Sequence, residues 1–257
     1  MEENCLMNSF FTKIQYIRFA SVVIMLGIWK ILALYFDSDF IVPHPEDTFL
    51  TVAKLIGSTE FIMVASSTII RGIIGFAISG ILGMGIGVLA GINPRFNAFI
   101  TPFLVMVRSI PVIALLLLAL IWFNPDVVPV FIAMLTMFPF ICTNVIDGIR
   151  SIDPGIIEMA KFYKVGKWRI ISEVYIPGIM PFIISGASSA MGIGWRAVII
   201  GEVLSQPKYG IGTKMQSAQT FLNVDAVIAW TLIAVLLSYG FEKIIRWSER
   251  KIVTWRV

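Results

Sequence analysis

The sequence predicts an all-α, polytopic membrane protein with six transmembrane helices and one amphipathic loop between the fourth and fifth spans. Three observations predict it. The 257 residues are 58% hydrophobic and 14% charged, with a mean hydropathy of +0.88, whereas soluble domains average roughly 45–50% apolar and about 25% charged. The apolar residues gather into stretches near the roughly 20 residues that a bilayer crossing needs. The basic residues crowd the alternate connections between those stretches. A water-soluble fold of this size could not cover so much apolar surface, and the excess must face lipid.

The stretches are 19–36, 69–92, 96–123, 127–149, 179–204 and 224–245, read as a single transmembrane domain over residues 1–257. The first could be mistaken for a signal peptide. It lacks a small-residue cleavage site and runs on to Tyr35 and Phe36, so it reads as an uncleaved span. Lys30 lies within it and either snorkels to the outer interface or faces another helix. The connection 37–68 is acidic, with Asp37, Asp39, Glu46, Asp47 and Glu60. The second span has small residues at every fourth position, Gly75, Ser79, Gly83, Gly87 and Gly91. They form one smooth helical stripe on which another helix can pack closely. In the third, Arg108 stands three residues before Pro111, which removes a backbone donor and kinks the helix. Asp126 beside Pro125 marks a tight turn before the fourth span.

Charged groups within spans are functional candidates by default. In the fifth span Arg196 lies beside Trp195, after Met191, Gly192 and Gly194, and Glu202 follows six residues further on. Positions 196 and 202 are nearly opposite on a helix and need not pair. Arg108, Pro111, Met191, Trp195, Arg196 and Glu202 are therefore candidates for a translocation path. Arg196 and Trp195 suit an anionic or planar solute; the rival reading is that Arg196 pairs internally or caps carbonyls.

Orientation follows from Lys and Arg. One set of connections carries Lys13, Arg18, Arg95, Arg150, Lys161, Lys164, Lys167, Arg169, Lys243, Arg246, Arg250, Lys251 and Arg256; the other carries Lys54, Arg71, Lys208 and Lys214. Thirteen against four puts both termini and the 150–178 loop in the cytoplasm, with the protein multi-pass in the cell membrane. The net charge of +4 is modest and no basic run is interleaved with aromatics, which excludes nucleic acid as a partner. Cys142 lies inside an apolar stretch and Cys5 near the N-terminus, so no disulfide framework is indicated. His44 is the one histidine and has no ligand cluster around it, so no metal site is expected.

The 150–178 loop is the most informative segment. Asp153 suits an N-cap and Pro154 a first helical position. Ile156, Ala160 and Tyr163 follow at helical spacing, Lys161 and Lys164 fall on another face, and Gly166 can end the helix. A second short helix over 167–175 then runs back to Pro177 and the membrane. Pattern alone allows an amphipathic hairpin lying on lipid.

Glu158-Met159-Ala160, with Ile176-Pro177 downstream, resembles the EAA loop of ABC importer permeases. Pro43 to Phe49, Arg71 to Phe76, Arg108 to Pro111, Trp122-Phe123, Ser151 to Pro154, Trp195, Glu202 and Gly210-Ile211-Gly212 look like further landmarks of the nitrate/sulfonate/taurine/bicarbonate-type branch. They fall in the family's order from about Trp29 to Arg250. The sequence departs from the family in having Met159 where alanine is usual, and Lys164 where glycine is usual, with Gly166 two residues later.

The resemblance implies a type I, binding-protein-dependent permease subunit that forms the path for a small polar or anionic solute. It implies that Glu158, Met159, Ala160, Tyr163, Lys164, Gly166, Trp168 and Pro177 couple to a separate ATPase. The implied partners are two ATPase subunits, a second permease copy making a homodimer, an extracytoplasmic solute-binding protein and membrane lipid. ATP and Mg would be bound by the ATPase, with no cofactor and no catalysis in this chain. A P-loop is absent: Trp168 follows Gly166-Lys167, and Lys161 stands where the first glycine is needed. The alternative is a secondary transporter or channel, for which Glu202 is the one plausible coupling carboxylate.

Overall fold

The computed structural model describes residues 2–252, with the side chains of 2–15, 18, 246 and 248–252 outside the described set. The side chains of Cys5 and of the basic residues Lys13, Arg18, Arg246, Arg250 and Lys251, and the whole of Arg256, on which part of the orientation reading rests, lie outside the described set. The described chain is helical: α1 (Glu2–Phe36), α2 (Pro45–Ile56), α3 (Phe61–Ile92), α4 (Pro94–Ser109), α5 (Val112–Trp122), α6 (Val128–Arg150), α7 (Pro154–Phe162), α8 (Lys167–Ile170), a π-helical turn at Ile171–Tyr175, α9 (Ile176–Ser205), α10 (Ile211–Thr220) and α11 (Val224–Ile252). It divides into two compact units. Residues up to 59 with 217–233 form one; 60–216 with the segment from 234 onward form the other.

In the first unit, α1 carries a very apolar stretch, Phe19–Phe36. Lys30 does not stand alone in it. Its ammonium pairs with the Glu46 carboxylate at 2.9 Å and lies 3.4 Å from His44 Nδ1. The hydrogen bond from Lys30 holds the exposed Glu46 carboxyl below the usual carboxylate range. Trp29 Nε1 donates to the Pro43 carbonyl at 3.1 Å. Asp225, in the first turn of α11 where a negative charge complements the helix dipole, accepts from the hydroxyls of Thr48 (2.7 Å) and Thr51.

The second unit is built on α3, α6 and α9, with α6 packed against both others. The small-residue stripe of α3 is a packing surface. A Cβ on Gly83 would meet Ile141 Cγ2 at 2.9 Å, and one on Gly87 would meet Val145 Cβ at 2.8 Å. Between them and the N-terminus of α3, Ser79 Oγ donates to the Met134 carbonyl at 2.9 Å. From α6, Ala133, Met137, Ile141, Val145 and Ile149 form a buried row completed by Ile179, Ala190, Met191 and Val198 of α9. Only glycine or a very small residue permits this backbone approach.

Two predicted elements differ. The third span is not one helix: α4 and α5 meet at a 95° bend. Pro111 supplies no N–H and disfavours helical geometry at Ile110, and both residues are extended. At 11 residues, α5 is about 16 Å long, too short to cross a bilayer alone. Among the described residues, five continuous helices are long and apolar enough to cross, and six segments if the bent pair counts as one. Nor is 167–175 a separate helix. α8, the π turn and α9 run on without a break over Lys167–Ser205. The wide turn, in which the Ile176 N–H reaches back to the Ile171 carbonyl, makes room just before Pro177, whose ring would clash with a carbonyl four residues earlier.

Candidate functional site

The loop at one end of the second unit has two faces. Asp153 caps α7, its Oδ1 accepting from Gly155 N at 2.8 Å, and Pro154 takes the first helical position. No residue of α7 is buried. Ile156, Met159, Phe162 and Tyr163 are exposed, Phe162 by 83%, and Trp168 just beyond them is equally exposed. Phe162 and Tyr163 stack edge to face at 5.7 Å. Ala160 is half-buried, so the exposed apolar patch centres on Met159 rather than on Ala160. Glu158 stands exposed beside it, and Pro177 is half-buried at the start of α9. Phe162 was not among the sequence candidates; its signal is its place one helical turn after Met159.

Gly166 does not end α7. α7 ends at Phe162, and the chain turns away at Lys164, which adopts a left-handed φ of 53°. Lys164 N bonds the Lys161 carbonyl at 3.0 Å, and Val165 N bonds the Ala160 carbonyl at 2.9 Å. This pair of bonds closes a helix with a left-handed residue in the position that glycine usually fills. Gly166 is instead the extended residue that caps α8.

At the opposite end of the unit lies a buried ion network. Glu202 is fully buried. Its Oε1 accepts from Arg71 at 2.7 Å, and its Oε2 accepts from Thr68 Oγ1 at 2.9 Å and Gly212 N at 3.0 Å. Arg71 also donates to the Tyr209 carbonyl at 2.7 Å and to Asp126 at 2.6 Å. Thr68 Oγ1 accepts from Ile211 N at 2.9 Å. A Cβ on Gly210 would meet the Glu202 carboxylate at 2.6 Å, so a glycine there lets the loop close over the charge. Buried charges need this degree of satisfaction. The network ties α3, α9, the turn before α6 and the start of α10 at one point. It also brings together Arg71, Glu202, Gly210 and Gly212, which looked unrelated in sequence.

Three expectations are thereby corrected, one about the connections and two about the path. Arg71 is not in a connection: it lies within α3 and is 8% exposed, because the polar Ser66-Ser67-Thr68 run is helical and extends α3 back to Phe61. Glu202 lines no path, since its carboxylate is wholly taken up by Arg71, Thr68 and Gly212. Trp195 and Met191 are 2% and 5% exposed and are occupied by packing. Trp195 lies against Phe241 with ring centroids 5.1 Å apart and within about 3.1 Å of where a Gly72 Cβ would stand. Its Nε1 has no hydrogen-bond partner among the described residues. Arg196, the next residue, points the other way. It is exposed and borders a cavity of about 400 Å³ shared with Ser188, Ser189, Ser238 and Glu242. Arg108 is exposed at the end of α4, 5.0 Å from the centroid of the Phe140 ring, and Pro111 is exposed at the bend.

Comparison with known proteins fits this architecture. Residues 83–254 match the family of binding-protein-dependent transport system inner membrane components. A Bacillus subtilis (strain 168) protein provisionally named as an aliphatic sulfonates transport permease is 30% identical over 236 residues, covering 91% of this chain and 85% of its own. The taurine transport system permease of Escherichia coli (strain K12) is 22% identical over 88% of this chain and 84% of its own. The bicarbonate transport system permease of Synechococcus elongatus is 26% identical over 70% and 65%. Among solved structures, a chain of the MetNI methionine ABC transporter in an inward-facing conformation superposes with a TM-score of 0.62 at 18% identity, over 75% of this chain and 94% of that one; the likeness extends to the fold. With the family model covering well over half of the chain, the protein belongs to the binding-protein-dependent transport system inner membrane components, the membrane-spanning permease subunits of ABC importers.

Proposed function

We propose that this permease subunit carries a small anionic or zwitterionic solute, with ATP hydrolysed by a separate ATPase that grips α7 and the turn after it. The observation that carries the reading is the exposed apolar patch of Ile156, Met159, Phe162, Tyr163 and Trp168 on a short, well-capped helix. Large apolar side chains clustered in this way mark a docking surface, and aromatics and Met are the residue types that anchor interfaces. Glu158, Lys164, Gly166 and Pro177 shape and rim that surface.

Two copies of the chain would enclose the path, two ATPases would engage the loops, and a solute-binding protein would deliver cargo on the far side. The loop and both termini would lie in the cytoplasm, a reading the Lys and Arg distribution supports. ATP and Mg belong to the ATPase. Because Lys167–Ser205 is one continuous helix, a displacement at Trp168 is delivered along α9 to the Arg71–Glu202 clasp. α9 also presents Arg196 to the polar cavity, and Arg196 makes no ion pair among the described residues. A guanidinium there would meet a sulfonate or carboxylate group, as the names of the sulfonate, taurine and bicarbonate relatives suggest for their own cargo. Glu202, the carboxylate that a proton-coupled carrier would use, is committed to Arg71, which favours the ATP-driven reading over the secondary transporter.

Reconstitution tests this reading. The permease, co-expressed with its cognate ATPase and binding protein, should co-purify with the ATPase, and solute-loaded binding protein should raise ATP hydrolysis several-fold. Uptake by the permease alone, driven by an ion gradient, would contradict it.

A further inference from the structure

The apolar patch that meets the ATPase uses one face of α7; the other face lines a separate groove. Ile157 and Lys161, one turn apart on that second face, border a cavity of about 460 Å³. Its walls come from Val88 and Ile92 at the end of α3, Ile149 at the end of α6, and Ile170 and Ile179 on the helix after the loop. The cavity is within the size range of small-ligand sites, but its lining is almost wholly aliphatic. The exceptions are Tyr175 and two lysines, Lys161 and Lys167, and no lining residue is acidic. Both lysines are exposed, and neither makes an ion pair among the described residues. The groove opens where membrane-spanning helices end, at the level of lipid headgroups.

From this arrangement we infer that the groove binds an anionic phospholipid, its acyl chain on the isoleucines and its phosphate between Lys161 and Lys167. Charge complementarity selects this occupant. A purely apolar partner segment would leave two ammonium groups at its edge without counter-ions, and a zwitterionic lipid would bring its own cation to them. Basic pockets between membrane helices on the cytoplasmic side are suited to anionic headgroups, each Lys near the surface contributing about a fivefold gain in affinity. The lipid would wedge α7 against the ends of α3, α6 and α9, stiffening the element through which the ATPase acts. The cytoplasmic placement rests on the reading above; the groove and its lysines do not.

Native mass spectrometry of the detergent-purified permease, exchanged into equal mixtures of phosphatidylglycerol and phosphatidylcholine, tests the inference without depending on transport or orientation. Wild type should retain phosphatidylglycerol selectively. Lys161→Gln with Lys167→Gln should lower that retention roughly 25-fold, as the product of two fivefold effects, while Lys161→Arg with Lys167→Arg should preserve it. Ile176 also lines the groove, and Ile176→Trp, which fills it without altering charge, should also release the lipid. Equal retention of the two lipids by wild type, or phosphatidylglycerol retention unaltered in either the double Gln or the Trp variant, would overturn it. Failure here would leave ATPase coupling untouched, since Met159, Phe162 and Tyr163 lie off the groove.

Discussion

Arg71 and Glu202 form an ion pair withdrawn from water, with the guanidinium side chain 10% and the carboxylate side chain 0% exposed. Its value lies in being complete. Taking a charge out of water costs several kcal/mol, and removing one partner of such a pair costs about 3–5 kcal/mol, whereas replacing both by apolar residues is often near neutral. Arg71→Met should therefore destabilise the permease by about 3–5 kcal/mol, seen as a lower detergent melting temperature. Arg71→Met combined with Glu202→Leu should recover most of that loss, which a thermal-shift double-mutant cycle would measure. If the two substitutions simply add, the pair is not coupled as the geometry requires. The pair was hidden in sequence because its members are 131 residues apart and because the polar Ser66 to Thr68 run looked like a loop. A run of serines and threonines can continue a buried helix when each hydroxyl bonds a carbonyl on the preceding turn, as Ser67 does to Met63.

At the scale of elements, the turn after α7 shows what local chemistry can and cannot reveal. The cap at Asp153-Pro154 was legible from residue types alone, because the side-chain geometry of an N-cap is local. The C-terminal end was read one turn feature too late: a glycine at 166 was the obvious breaker, yet the left-handed residue is Lys164. A non-glycine residue there carries a strain of roughly 1–2 kcal/mol. Lys164→Gly should relieve it and leave coupling intact, raising protection of the 160–165 amides in hydrogen exchange. Lys164→Val, β-branched, should fray the turn and weaken ATPase binding. Equal exchange in all three proteins would show that the turn is not held in this geometry. The bend between α4 and α5 was legible as a kink from Pro111; its 95° size was not, because that depends on where Leu104, Leu116 and Ala119 find their packing partners.

For the whole molecule, the membrane architecture was readable because hydropathy is a property of long windows, insensitive to any one residue. The Gly75 to Gly91 stripe announced a close helix contact and met α6. The path was less readable. Trp195 and Arg196 are adjacent in sequence, yet one packs inward and the other faces the polar cavity, a division that helical phase makes only once the neighbouring helices are placed. In the proposed mechanism, the exposed face of α7 is where ATP hydrolysis in another subunit becomes motion in this one. Met159, 56% exposed at the middle of the patch, is the residue on which it stands or falls. Met159→Asp would set an unpaired charge in that contact, costing a few kcal/mol, or at least two orders of magnitude in affinity, without disturbing any buried residue. The measurement is ATPase retained on the purified, tagged permease, alongside ATP-dependent uptake in proteoliposomes. The expected result is a fully inserted permease of normal thermal stability that has lost both; normal ATPase retention with normal uptake would contradict coupling through α7.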